Sequence, residues 1–115
     1  MHVLFENQHG QNEIEAERLF LALGRIPNVN HLNLDAVNIK YNKKGIEVNH
    51  ASETSVKNIY AVGDVLGLYL LSNFANEQGI TAVQNAFLPW KKRVDYTKAE
   101  WCNFTSLELA SLGLT

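Results

Sequence analysis

Asp64 is the side chain with the most chemical promise, because of the residues around it. Residues 59–62 (Ile59, Tyr60, Ala61, Val62) read as a short buried strand that ends abruptly in Gly63 and Asp64. A helix is expected a few residues later, near Leu71. A carboxylate at the carboxyl end of a buried strand can accept hydrogen bonds from sugar or polyol hydroxyls. Gly63 has no side chain, so a ligand can come close to its backbone. The unpaired N–H groups and positive end of the following helix suit a partly negative ligand oxygen. Together they make half of a polar cradle for a polyol attached to an electron-poor ring. A Gly-Asp pair after a strand is common, however, and an aspartate capping a turn explains it equally well.

The elements that must position this pair can be read along the chain. Residues 72–87 form the strongest helix, with Ser72 or Asn73 as its cap. Ala75, Gly79, Ala82 and Ala86 recur three or four residues apart and make a narrow face of small side chains. Such a face can lie against a strand or a flat ligand, and plain core packing accounts for it too. Upstream, residues 2–6 read as a strand and residues 7–12 as a hairpin turn. Residues 13–24 carry both helix signals, an Asn12 cap and a Gly24 stop, and the apolar run of a buried strand. Pro27 then breaks the chain. Residues 32–36 suit one helical turn. Residues 37–40 and 46–49 suit two short strands around a turn ending in Gly45, which can take positive φ. Residues 50–57 read as a polar loop. After Pro89 and the basic loop Lys91, Lys92, Arg93, residues 101–105 read as a strand and residues 107–114 as a short apolar element. The fold class is therefore α/β to α+β, with short hairpins, one buried strand ending in Gly-Asp and one long helix.

Composition narrows the function. The chain has 115 residues, 46% hydrophobic and 19% charged, the balance of a globular protein rather than a disordered tail. A net charge of −2 gives no electrostatic case for nucleic acid. The basic run at Lys91 reads as a solvated loop. Cys102 is the single cysteine, which leaves no CxxC redox pair, zinc site or internal disulfide and fits a reducing compartment. His2, His9, His31 and His50 are scattered, so no metal site is expected. No apolar stretch reaches the roughly 20 residues of a membrane span. The opening residues lack a signal-peptide pattern, and a cytoplasmic location is expected.

Three stretches in fixed order carry a resemblance: LALGRIPN, then ETSVKNIYAVGD, then LLSNFANEQGITAVQNAF. Their order and spacing closely resemble the flavoprotein, FAD-dependent pyridine nucleotide-disulfide oxidoreductases, a family that includes dihydrolipoamide dehydrogenase, glutathione reductase and mercuric reductase. The tail from Asn85 onward is most similar to the mercuric-reductase-like branch. The resemblance covers nearly the whole chain. It implies that residues 1–24 close the NAD(P)H-binding domain, that 25–90 are the C-terminal part of the FAD-binding domain, and that 91–115 are a linker and the start of the dimerisation domain. Residues 13–23 are read as a strand on that ground. Gly24 and Arg25 would mark the return into the FAD-binding domain. Asp64 matches the aspartate that hydrogen-bonds the flavin ribityl chain, and Leu70, Leu71 and Ser72 match the helix start whose amides face the flavin pyrimidine edge. In the full-length parent the resemblance implies FAD as cofactor, NAD(P)H as cosubstrate and a homodimer. Two departures stand out: Ser72-Asn73 replaces a frequent Thr-His, and Glu100 and Leu107 stand where prolines are frequent.

The remaining machinery of that family is missing from the sequence. Gly10, Gly24, Gly45, Gly63, Gly67, Gly79 and Gly113 never fall two apart, so no GxGxxG loop for FAD or nicotinamide exists. The redox cysteine pair is absent, and the family's C-terminal His-Glu pair has no counterpart here. No catalytic residue is therefore assigned, and the chain by itself is expected to be inactive. It opens in a strand and stops in an apolar stretch, as expected of a piece needing the rest of its parent. Two other readings remain: a free-standing, non-catalytic module that binds a protein partner through the same helix, and a small helical domain in which residues 13–23 are helix.

Overall fold

The structure is a computed structural model and describes residues 1–113. Its elements are three antiparallel hairpins, three short 3₁₀ turns and one long helix, in keeping with the α/β to α+β expectation. The first hairpin pairs β1 (His2–Asn7) with β2 (Gly10–Glu15), Val3 facing Ile14 and Phe5 facing Asn12. The turn is only Gln8-His9, shorter than the sequence suggested. The Asn7 side chain closes it by accepting from the His9 N–H at 2.8 Å. Pairing ends where the partner runs out: beyond His2↔Glu15 there is one more bond, from Ala16 N–H to the Met1 carbonyl. Residues 19–23, expected as a strand, are therefore neither strand nor helix. They run irregularly with Phe20 at 90% and Leu23 at 88% exposure.

A 3₁₀ turn at Leu34–Val37 takes the place of the expected helical turn and absorbs the start of the next expected strand. The second hairpin is only β3 (Tyr41–Asn42) with β4 (Gly45–Ile46), tighter than predicted. It packs on a further 3₁₀ turn, Gly63–Leu66. The contact is backbone on backbone: a side chain on Gly67 would collide with the Lys44 carbonyl, and Gly67 also needs φ of 63°. Between these pieces lies the first core, Leu34, Ile39, Ile46, Ala61 and Leu66. Residues 59–62 are not a regular strand. They are extended, with an isolated bridge from Tyr60 to Glu53 and bonds from Thr54 N–H to the Ile59 carbonyl and Ala61 N–H to the Ser52 carbonyl. Ala61 is buried, but pairing reaches only one side, so no ladder develops.

The helix α1 spans Ser72–Phe87, as the sequence predicts. Its buried side overlaps the small-residue face at Ala82 alone. Phe74, Gln78, Thr81, Ala82 and Asn85 point inward, while Ala86 is exposed and nothing lies within 4 Å of where a Gly79 Cβ would stand. Asn85 is fully buried and ties three segments together. Its Nδ2 donates to the Ala51 and Lys92 carbonyls, both at 2.9 Å, and its Oδ1 accepts from Lys92 N–H at 2.7 Å. Its own carbonyl accepts from the Tyr60 hydroxyl and from Lys91 Nζ. The basic loop is solvent-exposed, as expected, and its Lys92 backbone and Lys91 amine also hold it to the helix end.

A second core of Phe74, Val94 and Ala99 joins α1 to the tail, with Tyr69, Leu71 and Tyr96 against it. Tyr69 stacks on Tyr96 at 6.3 Å and meets Phe74 edge-on at 5.1 Å. Burial pushes the Tyr96 phenol up. Asp95 opens the 3₁₀ turn Tyr96–Lys98 by accepting from the Thr97 N–H. The last hairpin pairs β5 (Glu100–Asn103) with β6 (Leu109–Leu112); the expected apolar element at 107–114 is thus a strand in part, and Leu114 lies outside the described residues. Among the described residues no helix is long and apolar enough to cross a membrane.

The molecule is open. Its radius of gyration is 19.1 Å, against about 13 Å for a compact domain of this length. Its accessible surface is 9526 Å², against roughly 6300 Å² for a folded monomer of this mass. The surplus includes large apolar side chains along residues 19–26, on the outer side of α1 and in β6.

Two outcomes follow from this packing. Asn85→Ala strands buried backbone groups of Ala51 and Lys92 and should cost about 2–4 kcal/mol, read from urea unfolding. The Asp95 carboxyl is held below its ordinary range by the Thr97 hydroxyl, then by Lys98 and the Thr97 N–H. A lowered folded value means that this cap stabilises fully above the unfolded carboxylate range and is lost as pH falls through the folded value. An NMR titration of Asp95 should show the lowered midpoint, and Asp95→Asn should flatten this part of the acid limb of stability.

Candidate functional site

Gly63 turns the extended segment into the 3₁₀ turn with φ of 74°, a left-handed conformation that a side chain would strain. Its N–H donates to Gln78 Oε1 at 2.7 Å, and both groups are buried. The turn is thereby pinned to the middle of α1. An added Cβ would stand 3.2 Å from the Ala75 Cβ, so the helix and the turn meet closely only because Gly63 is bare. Asp64 follows at the rim, with its side chain about half exposed.

The start of α1 lies beside it. Leu71 takes the cap position in an extended conformation, φ −128° and ψ 133°, and no side chain caps the helix. The sequence suggested Ser72 or Asn73 for that role. Instead the Asn73 amide donates to the Glu100 carbonyl at 3.1 Å, tying the helix start to the last hairpin. The first intrahelical bond runs from Ala75 N–H to the Leu71 carbonyl. The backbone N–H groups of Ser72, Asn73 and Phe74 therefore have no intrahelical acceptor and lie at the positive end of the helix, which favours a partly negative ligand oxygen.

Arg25 connects the two halves. Its Nη1 lies 3.3 Å from Asp64 Oδ2, and its Nη2 donates to the Leu70 carbonyl at 2.6 Å. Gly24, at φ of 84°, turns the chain just ahead of it. Six of the seven sequence-predicted site residues, Arg25, Gly63, Asp64, Leu70, Leu71 and Ser72, therefore gather around one turn; Gly24 lies one residue away along the chain. Gln78 was not foreseen. A polar residue four positions after Phe74, followed at helical spacing by Thr81 and Asn85, was the available signal. Among the described residues no group of three or more His, Cys, Asp or Glu side chains could hold a metal ion.

The sequence profile of the pyridine nucleotide-disulphide oxidoreductases matches residues 3–88. The chain belongs to that family. It is 35% identical over 103 residues to a dihydrolipoyl dehydrogenase of Cupriavidus necator, 89% of this chain and 22% of that protein. It is 39% identical over 110 residues to a mercuric reductase of Staphylococcus aureus, 93% of this chain and 20% of that protein. A trypanothione reductase of Trypanosoma congolense is 32% identical over 115 residues, 99% of this chain and 23% of its own length. The chain thus spans between a fifth and a quarter of the length of these relatives.

Two glycines in this region should respond oppositely to the same substitution. Gly63→Ala meets both strained φ and Ala75, and should cost about 1–2 kcal/mol. Gly79→Ala meets open space in mid-helix and should stabilise the chain by up to about 1 kcal/mol. Thermal unfolding of the two variants, side by side, checks the pair.

Proposed function

We propose that this chain supplies the flavin-facing wall of an FAD-dependent NAD(P)H:disulfide oxidoreductase, with FAD gripped by Gly63, Asp64, Leu70, Leu71 and Ser72 and bordered by Gly24 and Arg25. The reading is supported above all by the placing of the Asp64 carboxylate and the uncapped start of α1 around the bare Gly63 turn. In it, residues 1–24 end a nicotinamide-binding domain, 25–90 belong to the FAD-binding domain and 91–115 lead into a dimerisation domain. The remainder of a parent chain and a second copy in a homodimer would cover the exposed apolar side chains.

When bound, FAD would supply the redox chemistry, accepting a hydride from NAD(P)H and passing electrons on. The chain's own residues bind and orient. The Asp64 carboxylate accepts from ribityl hydroxyls, and charge-assisted bonds of this kind fix a polyol firmly. The backbone amides of Ser72 and Asn73 and the helix dipole favour negative charge at the pyrimidine edge, as preorganised dipoles do at a site of developing charge. Gly63 admits the ligand close to the backbone. No side chain here has a catalytic part, and the chain alone is read as inactive.

The first test uses FMN, which carries the ring and ribityl chain without the adenylate, added to the isotope-labelled chain and followed by NMR. The amides of Gly63, Asp64, Ser72 and Asn73 should shift together, and Asp64→Ala should weaken the response about tenfold, as loss of a charged hydrogen bond does. A folded chain whose site amides stay still at millimolar FMN would sink the reading. A response indifferent to Asp64 would sink the residue assignment.

A further inference from the structure

We infer that Arg25 is a positioning residue of this site, a two-pronged strap that sets the Asp64 carboxylate at a fixed distance from the start of α1. The inference rests on the flavin reading of the same site. Arg25 is separated from Asp64 by 39 positions and from Leu70 by 45, yet its guanidinium reaches both, at 3.3 Å and 2.6 Å. One prong meets a single carboxylate oxygen, Oδ2, which leaves Oδ1 for a polyol hydroxyl. The other meets the backbone one residue before the helix cap, at the carbonyl of Leu70. The two proposed ligand-binding groups, a carboxylate and a pair of helix-start amides, come from different parts of the chain and have to keep one spacing.

The other ties across this region lie deeper. Gln78 pins the Gly63 N–H to the middle of α1, below the rim, and leaves Asp64 free to swing. The turn bond from Gly67 N–H to the Asp64 carbonyl fixes backbone, not carboxylate. Among the described residues Arg25 is the side chain that bridges the rim itself. The pair is more than half exposed on both sides, 62% for Arg25 and 53% for Asp64. An ion pair so open adds little to global stability. Its use is geometric: a planar guanidinium presents two donors in a fixed fork, so it sets the spacing of two acceptors where an ammonium sets none. Gly24, at φ of 84°, aims the backbone that delivers this side chain.

The test is a double-mutant cycle on the full chain, with FMN as the probe and NMR shifts as the readout. Arg25→Ala should weaken FMN binding about fivefold or more while leaving the unfolding midpoint in urea unchanged. In an Asp64→Ala background the same change should add little, because the strap then has one anchor less. Arg25→Lys should recover less than half of the loss, since the rotatable donors of an ammonium do not fix the spacing of two acceptors. Without ligand, Asp64→Asn should shift the Leu71 amide, which it reaches through Arg25. Effects that multiply independently in the double variant would show that Arg25 touches the ligand itself, and full rescue by lysine would show that charge alone matters; either overturns the strap. If the wild-type chain fails to respond to FMN, the flavin reading falls and takes the strap with it. An FMN response without coupling overturns the strap alone.

Discussion

Gln78 and Asn85, seven residues apart on the buried side of α1, take up backbone groups from three separate stretches of chain, at Gly63, Ala51 and Lys92. Gln78 accepts from Gly63, and Asn85 binds Ala51 and both polar groups of Lys92. Buried amides are costly to strand, so each of these bonds holds its partner segment to one position. The turn at Gly63 sits where Gln78 puts it, and the chain after Pro89 folds back because Asn85 receives it. Apolar packing then fills in around this polar spine, on one side as the Leu34 and Leu66 core and on the other as the Phe74, Val94 and Ala99 cluster.

The candidate site inherits its shape from that spine. Gly63 is bare enough for Ala75 to come close, so the end of the extended segment and the start of the helix lie side by side. Asp64 then stands at the rim next to amides that no side chain caps. An uncapped helix start is an unsatisfied donor set, open to water, another backbone or a ligand. The half-open small-residue face of α1, with empty space over Gly79, belongs to the same side of the story.

The hairpins show what pairing can and cannot do in a short chain. β1 and β2 hold together through six residue pairs, yet they pack on no third layer, and their apolar face with Val3, Phe5 and Ile14 lies on one sheet side alone. Isolated hairpins are marginal in water. Residues 19–23 are more apolar than either strand and form no element at all, because no free strand edge meets them. Strand propensity is a preference for fitting a neighbour, and without the neighbour it yields only an extended, exposed run.

Much of the fold is legible in the sequence. The helix over 72–87, the approximate places of the first two hairpin turns, the gathering of Gly63, Asp64 and the helix start, and the family itself all follow from local signals: cap and break residues, periodicity, and motifs in fixed order. What the tertiary structure decided is which side of each element counts. The small-residue stripe looked like the buried face of α1, but the helix buries Gln78 and Asn85 instead, because backbone donors and acceptors from distant segments wait there. Ser72 and Asn73 read as caps, but Asn73 is drawn to Glu100 and the cap goes to Leu71. Arg25 read as a boundary marker, and only folding brings its guanidinium to Asp64 and Leu70. Local signals are written in neighbouring residues and can be read from them; the partners of a side chain across 39 or 45 positions exist only once the chain has closed on itself.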